Sequence, residues 1–137
     1  MTARESTLGP SAVAESAAEA VRTLNHLTLY PPSAEVPGWE DVSDVYRVLG
    51  ELRLLVERVP QVLRQVAKHL EQSARSYEVD AAALGPAAEM IAAAVLGLRC
   101  AQEPLSDAGE LISAAQSVAA HLYMPLPVAA SASTTGG

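Results

Sequence analysis

Between residues 42 and 70, apolar side chains recur without a slip at alternating steps of three and four: Val42, Val45, Leu49, Leu52, Val56, Val59, Leu63, Val66 and Leu70. That rhythm places them on one stripe of an α-helix. Its seven-residue repeat is what a helix needs to lie along another with coiled-coil geometry. A second stripe keeps the same period through Leu84, Ala87, Ile91, Ala94, Leu98, Ala101, Leu105, Ala108, Ile112, Ala115, Ala119 and Leu122. From Ala87 to Ala115 one heptad position is large and the other is Ala, which predicts helix axes at the short end of the roughly 8–10 Å range.

Two such stripes predict an all-α protein built on a long antiparallel helical hairpin, over about 41–76 and 86–123, each arm roughly 55 Å long. The polar run 73–80 and the Gly85-Pro86 pair supply the break between the arms. Pro60 and Pro104 interrupt neither stripe, but each removes a helical hydrogen bond, so both are expected to kink their helices without ending them. Residue 82 is midway between Pro60 and Pro104, and also midway between Val42 and Leu122. The two prolines are therefore expected side by side in the hairpin.

Upstream, Val13, Ala17, Ala20, Leu24 and Leu27 form a shorter stripe after Gly9-Pro10-Ser11, a good helix start. This predicts an N-terminal helix over about 10–28. Three prolines and a glycine between Pro31 and Gly38 cannot continue it, so an extended connector follows, with Tyr30, Val36 and Trp39 expected to pin it to the bundle. Asp41 or Ser43 is the expected cap of the second helix, with Trp39 as an apolar staple. Residues 1–9 and the Ala/Ser/Thr/Gly-rich stretch 124–137 read as disordered, leaving a single helical-bundle domain over 10–123.

Composition narrows the function classes. Half of the residues are apolar, yet aromatics are 4% and Phe is absent, so Ala, Leu and Val carry the core. The formal net charge of −7 argues against a general nucleic-acid binder, which needs a surplus of Lys and Arg on one face. No apolar run is long enough to span a bilayer or to act as a secretory signal, and Cys100 has no intrachain partner. The expectation is a cytoplasmic protein with no membrane contact.

No chemistry gathers in the sequence. His26, His69 and His121 fall on separate helices, without the i, i+4 spacing of a helical metal site. Glu89, Glu103 and Glu110 lack the Glu-x-x-His motif of di-iron bundles, and Cys100 has no neighbouring base. Phosphate loops and serine elbows are absent. The reading is a non-enzymatic interaction protein with no catalytic, metal or cofactor site.

Leu54, Leu55, Val62 and Leu96 lie off the main stripes and are the candidate partner-binding residues. The expected partner is a second copy, or another helical protein in a hetero-oligomer. The alternative is a nucleic-acid-associated accessory protein using Arg58, Arg64 and Lys68. Against it, residues 40–77 carry six acidic and six basic side chains, several in i, i+4 pairs typical of a solvated face.

The segments Ala17-Ala18-Glu19-Ala20-Val21-Arg22-Thr23-Leu24-Asn25-His26, Val45-Tyr46-Arg47-Val48-Leu49-Gly50-Glu51-Leu52 and Leu55-Val56-Glu57-Arg58-Val59-Pro60-Gln61-Val62-Leu63 carry a resemblance. Over about residues 17–70 the chain resembles small, Ala-rich, uncharacterised helical proteins of Streptomyces and related actinomycetes, some carried on mobile or conjugative elements. The resemblance implies a cytoplasmic actinobacterial protein and transfers no activity. It makes Asn25, His26 and Tyr46 candidates for a polar contact between the first two helices. In size and hairpin form the chain is also similar to type VII secretion substrates, but it lacks their Trp-x-Gly turn between the long helices.

Overall fold

The structure is a computed structural model and describes residues 8–78 and 85–123, apart from the side chain of Arg75. It is all-helical among these residues. The helices are α1 (Pro10–Leu27), α2 (Val42–Gln72) and α3 (Ala87–Ala119), with one turn of 3₁₀ helix at Ala74–Ser76 after α2. Of the stretches expected to be disordered, 1–9 and 124–137, residues 1–7 and 124–137 lie outside the described residues, as does the hairpin tip at 79–84. The chain divides into two compact units at Val45/Tyr46.

The first unit holds α1 and the connector. Pro10 opens α1 where its missing N–H costs nothing, after Gly9 in an extended conformation. At the other end both the N–H and the hydroxyl of Thr28 donate to the Leu24 carbonyl, at 3.0 and 2.8 Å. No residue of α1 is buried. The connector closes on itself: Ser33 N–H donates to Trp39 O and Trp39 N–H to Val36 O, each at 3.0 Å, around Gly38 at φ +78°. The Trp39 indole N–H donates to Tyr30 O at 2.7 Å. Tyr30 and Val36 are themselves exposed, so of the three expected pins only Trp39 is partly buried.

Asp41 caps α2. Its carboxylate accepts from the Ser43 N–H at 2.8 Å, while Asp44, three residues on, reaches back to the N–H groups of Glu40 and Asp41 at 2.8 and 3.4 Å. This reciprocal arrangement is a capping box with Asp in the place of Glu, and it explains why Asp44 is buried.

In the second unit α2 and α3 pack together as antiparallel neighbours. Four cross-helix approaches fix their register: Gln116 Nε2 to Tyr46 O (3.5 Å), Glu57 against Gly109, Arg64 to Gln102 Oε1 (3.5 Å) and Arg99 to Glu71 Oε1 (2.5 Å). Pro60 and Pro104 both fall between the Glu57–Gly109 and Arg64–Gln102 levels, so they share one level of the hairpin as expected. Each helix continues through its proline, leaving the carbonyls of Val56 and Cys100 without their usual i+4 donors.

The packing seam differs from the expected stripes in one respect. The large positions Leu49, Val56, Leu63 and Leu70 of α2, and Ile91, Leu98, Leu105 and Ile112 of α3, are half-buried as expected. The alternate positions are shifted by one residue. On α3 they are Val95, Gln102, Gly109 and Gln116, while Ala94, Ala101 and Ala115 are exposed. On α2 they include Pro60 and Ala67, both buried, while Val66 is 44% exposed. Both helices are apolar over more than one stripe, so two neighbouring registers satisfy the same period and the period alone does not choose. Close axial approach is consequently made by Gly109 and Ala67, not by the alanine row of α3.

Candidate functional site

The cross-helix polar contacts define one side of the hairpin. They leave α2 from Arg64 and Glu71, on the same side as the close approaches at Gly50 and Glu57, each one residue after a seam position, and they include Arg99, one residue after Leu98 on α3. Two shallow cavities lie on this polar side. One, of about 320 Å³, is lined by Arg64, Ala67, Lys68, Glu71, Arg99 and Gln102. The other, of about 360 Å³, reaches from Glu71 and Ala74 to Val95 and Leu96.

Residues one position before the seam on each helix are rotated about 100° the other way. In an antiparallel pair that rotation brings both sets to the same, opposite side. On α2 they are Val48, Leu52, Leu55, Val59, Val62, Val66 and, at the C-terminal end, His69. On α3 they form two rows: Ala94, Ala101, Ala108 and Ala115 nearer the seam, then Met90, Gly97, Pro104, Leu111 and Val118 farther out. None of these residues is Asp, Glu, Lys or Arg. The outer large side chains of this face are open to solvent, with Leu111 at 71%, Val118 at 65% and Val62 at 54% of full exposure, while Val48, Leu52 and Val59 are half-buried.

The four residues expected to bind a partner are divided by this geometry. Leu55 and Val62 belong to the apolar face. Leu54 and Leu96 occupy equivalent positions on the polar side, where Leu96 borders a cavity with Glu71 and Arg99. The heptad rhythm of a second stripe on α2, and of the alanine row with its outer neighbours on α3, was the signal for the full face. Assembling it required the register that only the packed hairpin supplies.

The basic residues are likewise split. Arg64 and Lys68 line one cavity, but Glu71 lies between them and Arg99, and Arg64 is turned toward Gln102. Arg58 is exposed on the back of α2, away from α3. Asn25, His26 and Tyr46 are all exposed. His69 meets Tyr77, with its Nε2 3.0 Å from the phenol oxygen and the rings edge-to-face. Among the described residues no three His, Cys, Asp or Glu side chains are grouped as a metal site, and no helix is long and apolar enough to cross a membrane. Comparison with protein-family models, curated proteins and solved structures returns no match.

Proposed function

We propose that this chain is a non-enzymatic protein–protein interaction module that works through the apolar face of its α2–α3 hairpin and takes a helical partner. The observation that supports it is the charge-free double row along both helices, whose outer side chains stay in water. Single exposed apolar residues need no explanation, but a continuous strip does. Its heptad period favours a helix, or a pair of helices, as the surface that covers it. The free and exposed Cys100 fits a reducing compartment such as the cytoplasm.

Less supports a nucleic-acid role, since the basic side chains form no continuous strip and the net charge is −7. The interaction reading is tested with Val62→Asp and Leu111→Asp. Both sites are solvated in the free chain, so each substitution should change monomer stability by no more than about 0.5 kcal/mol. Both should abolish association as measured by light scattering. Wild-type association in both variants would end this reading.

A further inference from the structure

Resting on the interaction reading, we propose that the occupant of the apolar face is a second copy of this chain. The two copies are related by a twofold axis parallel to the helices, so that α2 of each lies along α3 of the other. Three features of the face point to this arrangement.

The first is size. The seam-side row of α2 is Leu52, Val59 and Val66, and that of α3 is Ala94, Ala101, Ala108 and Ala115. A twofold axis parallel to the helices leaves every residue at its own level. Those levels are set by the Glu57–Gly109 and Arg64–Gln102 approaches. Val66 of one copy then meets Ala101 of the other within one residue, Val59 meets Ala108, and Leu52 meets Ala115. Along this seam-side row a large side chain lies against a small one in each of the three layers, while the outer row sets Leu55 beside Leu111. The other twofold compatible with the face sets α2 on α2 and α3 on α3, opposing large to large and leaving the alanine rows to face a void.

The second is charge. Flanking this contact on its outer edge are Arg58 on α2 and Asp107 on α3, both exposed and neither in an ion pair among the described residues. The same levels set Arg58 of one copy beside Asp107 of the other, twice over by symmetry. Such flanking pairs are what fixes partner and orientation in helical bundles.

The third is Gly97. Glycine in a helix interior is unfavourable, and here, the local helix backbone and chain neighbours aside, no atom of the described residues lies within 4 Å of where a Cβ would stand. Nothing among the described residues of the hairpin requires a glycine at this point. In the dimer His69 of the other copy comes to this level, and its ring needs the space. The available area is adequate as well. Two helices of about 30 residues, with axes roughly 9 Å apart, present a face on the order of 800 Å², which is one partner's share of a standard interface.

The test uses the full chain in a Cys100→Ser background. Val66→Cys and Ala101→Cys are made in separate chains, purified, mixed and oxidised, with the solution mass of each followed by light scattering. The expected result is a dimer whose disulfide forms in the mixture between the two different chains, and not in either chain alone. A dimer that cross-links Val66→Cys to itself overturns this arrangement while leaving the interaction face standing. A monomer at all concentrations overturns the second copy as occupant. A dimer that survives Val62→Asp unchanged sinks the face itself, and with it the proposed function.

Discussion

Gly97 and Gly109 sit on one helix in opposite circumstances. A Cβ at Gly109 would stand 3.3 Å from Glu57 Cγ, tighter than most real contacts, whereas one at Gly97 would meet no neighbouring side chain or helix among the described residues. In the monomeric Val62→Asp background, Gly97→Ala should therefore gain about 0.5–1 kcal/mol, the ordinary helix-propensity difference. Gly109→Ala should gain distinctly less, because Glu57 must move to admit the methyl group. Urea unfolding of the two variants side by side checks this, and an equal gain at both would contradict the seam described above. At this scale the sequence was partly legible. Asp41 can be read as a cap from its place before the α2 stripe, whereas nothing in the sequence separates Asp44 from an ordinary surface charge, and only its bonds to the Glu40 and Asp41 N–H groups do so.

For the helices themselves the deciding contrast is between the two prolines. Pro60 is buried in the seam and Pro104 is exposed on the apolar face, though both lack the helical N–H. Pro104→Ala restores a bond to the Cys100 carbonyl and removes no packing, so it should stabilise the monomeric Val62→Asp chain, by up to about 3 kcal/mol. Pro60→Ala regains the equivalent bond but leaves a small void beside α3, so its gain should be smaller. Equal effects in chemical denaturation would mean that Pro60 is not part of the core. The existence, order and approximate ends of the helices followed from period and punctuation. The face each helix turns to its neighbour did not, because Val66 and Ala67, or Ala94 and Val95, fit equally well into a three-and-four rhythm. Only the pairing of α2 with α3 separates them.

Across the whole α2–α3 unit, the pairing of polar contacts on one side with an uncharged surface on the other is a property of neither helix alone. It arises because antiparallel helices with the same one-residue offset turn their second stripes the same way. Leu54 and Leu96 stand off the main stripes just as Leu55 and Val62 do, and the sequence carries no signal for which side of a hairpin an off-stripe residue will take. The common level of Pro60 and Pro104 has a different kind of consequence. Helical hairpins ordinarily guard their middle amides best and lose them from the ends inward. Here two donors are missing and two acceptors are left open at the same height. Deuterium uptake should therefore be faster around residues 57–63 and 101–107 than at 49–55 and 111–117. A single protection maximum at mid-length would contradict this. To the isotope, the long hairpin should look like two short ones laid end to end.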